Sequence, residues 1–417
     1  MDGTRTVLES FRVLDLTDEK GFLSGRILGD LGADVIKIEP PRGDPGRNIG
    51  PFYKDIPHSE KSLYWFAFNA NKRGITFNLE TADGREIFKR LLKTADCLLE
   101  SFPPGYLNER GLGYSELLRI NPRLIMTSIT PFGQTGPYRE FKSSDLVAMS
   151  MGGFTYLTGD PERPPVRISL PQAYLHAGAD AAAATMIAYY YREVSGEGQH
   201  IDVSIQLSVS VNLTQAAPLK ELYNSISKRG GVYRPGIFSG ERTHLVWPCK
   251  DGFVNFGIYG GALGAKRNLA LVEWMDEEGL ADDFLKATDW NNFDLNQLSQ
   301  SELQGFEERI GKFFLTHTKT ELYDGAIKKG IILYPVNTIG DLLKDPQLRN
   351  RVFWIEVEHP ELDEHLTYPG SFIWSSEISP SIRRRAPLIG EHNLEIYEGE
   401  LGLSRKEIMI IKEAGVI

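Results

Sequence analysis

An alanine-rich segment that ends in two glycines constrains the fold of this chain more than any other stretch. Residues 176–192 are strong helix formers with mostly small side chains, which predicts one helix, and Gly196 and Gly198 are expected to end it. The next residues, 199–205, alternate polar and apolar side chains, which predicts a half-buried strand. A helix with so few bulky side chains can be approached closely by another backbone or by a ligand.

Strands alternating with helices fill the first third of the chain. This alternation predicts an α/β domain with a doubly wound, largely parallel, Rossmann-like sheet. The first strand-to-helix turn has no Gly-x-Gly-x-x-Gly, and the chain has no P-loop. A Rossmann-like fold therefore does not predict binding of NAD or ATP here. The predicted strands are 11–16, 33–39, 96–99 and 123–128, and the predicted helices are 23–31, 86–92 and 115–120.

The length of 417 residues exceeds what one hydrophobic core usually organises, so two domains are expected. Turn-forming residues cluster ahead of residue 251, which suggests a linker, and short strands and helices follow it. The predicted division is a large domain beginning with 1–218, a linker over 219–250, a small α+β domain over 251–342, and a return to the large domain over 343–417.

Charge and cysteine content exclude several classes of partner. The formal net charge of −10 argues against binding to nucleic acid. No apolar window is long enough to span a membrane, and the first residues lack the apolar core of a signal peptide, so no membrane is predicted. Cys97 and Cys249 are far apart in the sequence and form neither a disulfide framework nor a metal-ligand spacing. No metal site is therefore expected, and a reducing, cytoplasmic location is predicted.

Short motifs recur in order along most of the chain. The motif at 195–204 reads Ser-Gly-Glu-Gly-Gln-His-Ile-Asp-Val-Ser, and others lie at 28–39, 71–74, 102–105, 132–138, 330–346 and 386–392. Together they resemble the motifs of the class III CoA-transferases, the CaiB/BaiF family. The resemblance implies that family's fold, a Rossmann-like large domain plus a smaller α+β domain in an interlocked dimer. It also implies a CoA thioester as substrate and no tightly bound cofactor.

The resemblance locates the family's nucleophile, and this chain has a different residue there. In the family a catalytic aspartate lies 25 residues ahead of the motif's glutamine, here Gln199, and a glycine follows four residues later. This register gives Gly178 and places Tyr174 at the nucleophile position. A phenol, with a pKa near 10, is no simple replacement for a carboxylate nucleophile. Asp180 is the nearest carboxylate, but six helical residues turn about 600°, so it is only a weak alternative.

The positions that contact CoA in the family are only partly matched. Lys142 suits a phosphate as a point charge, but it could equally be a solvated loop residue. Asp18 and Glu19, in the first strand-to-helix turn, are unfavourable near a phosphate-bearing ligand. The CoA-binding residues implied by the resemblance are Lys142, Phe102, Leu79 and two displaced arginines, Arg42 and Arg110.

Three functional hypotheses remain open on the sequence. The first is a non-catalytic subunit of a heteromeric CoA-transferase, paired with a paralogous subunit that carries the aspartate. The family includes two-subunit enzymes that activate aromatic succinates such as benzylsuccinate, with succinyl-CoA as donor. The second is a homodimeric transferase or racemase with an altered site. The family's racemases commonly have a histidine directly before the aspartate equivalent to Asp145, and this chain has Ser144 at that position. The third is a non-enzymatic binder of CoA thioesters.

Overall fold

The computed structural model describes residues 6–235, 242–377 and 380–417. The described residues divide into two compact units: those of Met1–Phe154, Ser169–Leu213 and Pro346–Ile417 form the first, and those of Thr155–Ile168 and Thr214–Asp345 form the second. Residues 155–168 therefore group with the second unit, whereas the sequence assigned them to the large domain. The predicted linker and small-domain boundaries remain predictions.

A six-stranded sheet forms the centre of the first unit. Its order is β3-β2-β1-β4-β5-β6, and every neighbouring pair is parallel. Except for β6, the strands are buried along nearly all of their length, as expected when helices cover both faces of a parallel sheet. The predicted α/β class with a Rossmann-like sheet is confirmed. The strands are β1 Arg12–Leu16, β2 Asp34–Glu39, β3 Lys72–Thr76, β4 Cys97–Glu100, β5 Ile125–Thr130 and β6 His200–Ser204.

The helices of the first unit up to residue 211 connect and cover these strands. Two short 3₁₀ helices, Pro45–Asn48 and Tyr53–Asp55, follow β2. The alanine-rich helix α7 is longer than predicted and ends at Gly196, which has φ 80° and closes the helix in the left-handed conformation. The α-helices are α1 Phe22–Asp30, α2 Leu63–Asn69, α3 Ala82–Leu92, α4 Tyr106–Glu109, α5 Tyr114–Ile120, α6 Asp145–Met151, α7 Ala173–Ser195 and α8 Ile205–Val211.

The small side chains of α7 allow it to lie close to α1. A Cβ atom added at Gly178 would lie 2.8 Å from the Cβ of Leu23. Further along the helix, Ala188 packs with Val13 and Leu99 on one face of the sheet. The predicted close approach of another backbone to this helix is therefore made by α1.

The second unit is a smaller α+β body. Its three-stranded antiparallel sheet has the order β11-β10-β9, and a two-stranded pair joins β7 to β8. Trp247, Trp274 and Trp290 lie in its core. Its elements in chain order are the 3₁₀ helix Thr155–Leu157, α9 Ala216–Tyr223, β7 Tyr233–Pro235, β8 Arg242–His244, β9 Val246–Cys249, β10 Gly252–Phe256, α10 Gly261–Glu277, α11 Asp283–Ala287, the 3₁₀ helices Trp290–Asn292 and Leu295–Gln297, α12 Gln300–Leu315, α13 Lys319–Lys329, β11 Leu333–Pro335 and α14 Ile339–Leu342.

The last segment returns to the first unit. Ile396 and Tyr397 lie in the same apolar core as Leu14 of β1 and Ile36 of β2. Across the described ranges of both units, no helix has the combination of length and apolar content needed to cross a bilayer. The elements of this segment are α15 Pro346–Asn350, the antiparallel hairpin of β12 Trp354–His359 and β13 Glu364–Pro369, the π-helix Glu395–Glu400, and α16 Arg405–Glu413.

Candidate active site

Tyr174 is the second residue of α7, and a carboxylate from another helix fixes where α7 begins. The residue before the helix, Gln172, provides no side-chain cap. Instead, Oδ1 of Asp145 in α6 accepts hydrogen bonds from the backbone N–H groups of Gln172 and Ala173, both at 2.8 Å. These are two of the N–H groups that a helix start leaves without an intrahelical acceptor. Asp145 thereby sets the position of Tyr174, which is half-buried against the neighbouring apolar cluster.

Tyr174 lies among acidic groups. Burial raises the pKa of the Tyr174 phenol well above its usual range, and the charges of Glu19, Asp18 and Asp145 raise it further. The Tyr64 phenol in α2 has its pKa raised by burial and by the same three carboxylates. Both phenols are therefore neutral at physiological pH. Tyr174 therefore supplies no resting phenolate at physiological pH.

Asp18, the first of the two acids of the β1–α1 turn, is held by short-range contacts. The Asp18 carboxylate accepts a hydrogen bond from the Ser101 hydroxyl at 2.8 Å. The hydroxyl oxygen of Ser101 in turn accepts a hydrogen bond from the Asp18 backbone N–H at 2.8 Å. Asp18 also pairs with Lys20. Burial raises the pKa of Glu19, and the adjacent charge of Asp18 raises it further. Both carboxylates lie close enough to Tyr174 to raise the pKa of its phenol.

The other candidate nucleophile lies elsewhere on α7. Asp180 is exposed, whereas Ala177 and Gly178, just before it on the helix, are buried. This is the outcome expected from the turn of about 600° over six helical residues. The structure does not bring Asp180 into the half-buried surroundings of Tyr174.

Three of the predicted CoA-binding residues lie in one region. Phe102 stacks on Tyr106 with ring centroids 4.3 Å apart, and the guanidinium carbon of Arg110 lies 3.6 Å from the Tyr106 centroid. Leu79 is buried in the core against which Phe102 and Tyr106 pack. Arg110 is already paired with Glu80 at 2.9 Å. The Tyr106 hydroxyl and then Arg110 hold the pKa of Glu80 below its usual range.

Lys142 and Arg42 are both exposed, in the loops that follow β5 and β2. Their charges are open to solvent or to a ligand. The geometry therefore supports a contact surface around Phe102 more directly than it supports a phosphate site built from these two cations.

A polar cavity next to Phe102 was not found from the sequence. Its volume is about 210 Å³. One sequence signal could have indicated it: a glutamate closes the otherwise apolar strand β4, immediately before the Phe102 motif. The residues that line the cavity and are used below are Glu100, Ser128, Tyr114, Gln134 and His200.

The chain is similar to curated CoA-transferases over nearly its full length. It is 36% identical to "Succinyl-CoA:(R)-benzylsuccinate CoA-transferase subunit BbsE" of Thauera aromatica, with 98% of this chain and 97% of that protein covered. It is 32% identical to "Succinyl-CoA--D-citramalate CoA-transferase" of Chloroflexus aurantiacus, with 98% of each covered. It is 30% identical to "Succinyl-CoA--L-malate CoA-transferase beta subunit" of the same organism, with 100% of each covered.

A solved structure and a family model agree with these relatives. The crystal structure of a CaiB/BaiF family protein from Brucella suis matches with a TM-score of 0.79 at 29% identity, covering 94% of this chain and 99% of that one. The model of CoA-transferase family III matches residues 8–393. With the six-stranded parallel sheet and near-complete coverage by relatives, these matches show that the chain belongs to CoA-transferase family III, the CaiB/BaiF family.

Proposed function

We propose that this chain is the non-catalytic subunit of a heteromeric class III CoA-transferase, paired with a paralogous subunit that carries the nucleophilic aspartate. The observation that carries the proposal is the neutral, half-buried Tyr174 at the start of α7, where the family register expects an aspartate. Two relatives whose names describe them as subunits support a heteromer.

The proposed reaction needs a carboxyl group on the enzyme. A carboxylate attacks the donor thioester, releases CoA thiolate and becomes part of an anhydride. The thiolate then attacks the enzyme's own carbonyl carbon, releases the donor acid and leaves an enzyme–CoA thioester. The acceptor acid reverses these two exchanges and leaves as its CoA thioester. A phenol has no carbonyl carbon to carry CoA, so Tyr174 cannot replace the carboxylate at either exchange.

The surroundings of Tyr174 also favour a supporting role. Asp18 and Glu19 would raise the pKa of a carboxyl group placed at position 174 and would repel the phosphates of CoA. Both the side chain at position 174 and the charges around it are therefore unsuited to CoA transfer. This favours catalysis by the partner subunit over catalysis by this chain.

One face of α7 is suited to a partner. Ile187, Tyr190 and Val194 recur at helical spacing and are 71%, 73% and 75% exposed, and Tyr191 is 51% exposed. Exposed apolar patches of this kind mark interaction surfaces. We assign this α7 apolar face, formed by Ile187, Tyr190, Tyr191 and Val194, to an interface with the paralogous subunit in an interlocked assembly.

The proposed substrates follow the relatives. The donor is succinyl-CoA and the acceptor is a carboxylic acid, for which an aromatic succinate is the first choice because of the 36% identical benzylsuccinate relative. A racemase is less well supported. Ser144 supplies no imidazole, and the Asp145 carboxylate is occupied by two backbone N–H groups at the start of α7.

The test is co-expression with a paralogous subunit that has the aspartate, purified through a tag on this chain only. The complex is incubated with succinyl-CoA and hydroxylamine, which converts an enzyme thioester or anhydride to a hydroxamate, and the intact mass of each subunit is measured. We expect the modification on the partner and none on this chain. The Tyr174→Asp variant should also stay unmodified because of Asp18 and Glu19.

Other results would redirect the proposal. Hydroxamate on this chain would mean that one of its own carboxylates is catalytic. Purification of separate homodimers would count against the heteromer, and CoA binding without turnover in the complex would favour a binding protein. Replacing the partner's aspartate by asparagine is the control that should abolish the modification.

A further inference from the structure

Glu100 lies where β4 passes into the loop that presents Phe102. Its side chain is buried, with 4% of the residue exposed. Its Oε2 accepts a hydrogen bond from the Phe102 backbone N–H at 2.7 Å. The Phe102 ring then stacks on Tyr106 at the start of α4. The carboxylate therefore fixes the first peptide of the loop on which the aromatic stack depends.

A row of polar side chains leads from Glu100 to the edge of the sheet. Ser128 of β5 is the register partner of Glu100, and its hydroxyl acts to lower the pKa of the Glu100 carboxyl group. The same hydroxyl oxygen lies 2.8 Å from Nε2 of His200, the first residue of β6. His200 is exposed to solvent and stacks on Tyr114 of α5. The three side chains cross three neighbouring strands.

These three side chains can hydrogen-bond to one another in two protonation states. When Glu100 is ionised, Ser128 donates to it and accepts from a protonated Nε2 of His200. When Glu100 is protonated, it donates to Ser128, whose hydroxyl turns and donates to an unprotonated Nε2. A proton can therefore pass between the exposed imidazole and the buried carboxyl group along this row.

The charged and titratable groups around Glu100 make it the member that changes charge near neutrality. Burial raises the pKa of Glu100 to about 7; the Ser128 hydroxyl, the Phe102 N–H and Lys20 act to lower it, and Asp18 acts to raise it. Partial burial lowers the pKa of His200, and Asp202 opposes that effect. On α5, burial raises the pKa of Tyr114, so that phenol stays neutral.

The cavity of about 210 Å³ provides access to this row, because Glu100, Ser128 and His200 all line it. Gln134 lines it as well, and its buried Nε2 has no hydrogen-bond partner within the described ranges. The cavity is therefore polar on the side where the carboxyl group lies. Glu100 is buried from bulk solvent but is not sealed from exchange with it.

We propose that Glu100 is a positioning residue for Phe102, and that proton uptake through His200 and Ser128 weakens the hold of this loop on a CoA thioester as the pH falls through neutrality. The physical reason is that a hydrogen bond to a carboxylate is roughly twice as strong as one to a neutral acceptor. The inference rests on the proposed contact between Phe102 and CoA. Its first test is therefore independent of CoA.

The first test places a single 4-fluorophenylalanine at position 102 of the full-length protein and follows its ¹⁹F resonance from pH 5.5 to pH 8.5. We expect the resonance to titrate with a midpoint near pH 7. In Glu100→Gln the amide oxygen still accepts from Phe102 but is a neutral acceptor at every pH, so the resonance should stay near its low-pH position. Ser128→Ala should move the midpoint. A titration unchanged in Glu100→Gln, or no titration in the parent protein, would overturn the inference.

The second test measures the affinity for CoA at pH 6 and pH 8 by calorimetry. The parent protein should bind about fivefold more weakly at pH 6. Glu100→Gln should lose this difference and bind at both pH values about as the parent does at pH 6, because its amide is a neutral acceptor. Glu100→Ala should bind weakly at both pH values. Glu100→Gln is the matched control, since it keeps shape and folding and cancels the titration of CoA itself. A fluorine titration without an affinity change would overturn the proposed contact of Phe102 with CoA rather than the positioning role of Glu100.

Discussion

Two buried acidic side chains in neighbouring strands are stabilised in opposite ways. Asp15 of β1 pairs with Nζ of Lys72 at 2.8 Å. Burial acts to raise the pKa of Asp15, but Lys72 and Lys37 outweigh it and hold that pKa below its usual range. Glu100 has neutral partners, the Phe102 N–H that donates to it and the nearby Ser128 hydroxyl, and burial raises its pKa to about 7. Asp15 is thus ionised throughout the physiological pH range, whereas the charge of Glu100 depends on the pH.

This difference predicts a pH-dependent stability at the residue scale. Because the folded-state pKa of Glu100 is raised from 4.5 to about 7, the folded protein binds this proton more tightly than the unfolded chain. The stabilisation is complete below pH 4.5 and is lost as the pH rises through 7. Glu100→Gln should therefore gain stability relative to the parent between pH 5 and pH 8, by about 3 kcal/mol at most.

Urea unfolding of Glu100→Gln and of the parent protein at pH 5 and pH 8 measures this gain in stability. Glu86→Gln, which alters an exposed glutamate on α3, is the control and should show no comparable trend. A stability difference between Glu100→Gln and the parent that stays constant from pH 5 to pH 8 would contradict the assignment.

At the scale of elements, the contact between α7 and α1 depends on one missing side chain. Gly178→Val should destabilise the protein by about 1–3 kcal/mol, because its Cβ would lie 2.8 Å from that of Leu23. Ala183→Val places the same residue at an exposed position of the same helix and should cost only its lower helix propensity, about 0.5 kcal/mol. Chemical denaturation of both variants tests this. Equal losses would mean that α1 moves aside freely.

The elements also show how far the sequence reaches. The alternating pattern predicts β1, β2, β4, β5 and β6, but not β3, whose Lys72 and Arg73 are polar and yet buried. Each is neutralised by a carboxylate distant in sequence, Asp15 for Lys72 and Asp34 for Arg73. The motif register predicts position 174 as the nucleophile position without a structure. The link from Glu100 to His200 needs the pairing of β4 with β5 and of β5 with β6, which no local pattern contains.

At the scale of the whole molecule, the α7 apolar face predicts how the chain associates. Ile187→Lys together with Val194→Lys should prevent assembly with the paralogous subunit, because each charge would be buried in the interface. Met409→Lys, at a 61% exposed apolar position on α16, should leave assembly intact. Light scattering of the co-purified complexes distinguishes these outcomes. Normal assembly of the double variant would place the interface elsewhere.

The return of residues 346–417 to the first unit has a consequence for biosynthesis. Ile396 and Tyr397 pack on Leu14 and Ile36, so the core of the first unit joins segments separated by the whole second unit. Such long-range contacts make folding slow, since the chain loses entropy before they form. On the ribosome the second unit emerges before the first can close. The proposed paralogous subunit would therefore meet α7 while the first unit is still open, and the two polypeptides would pair during translation.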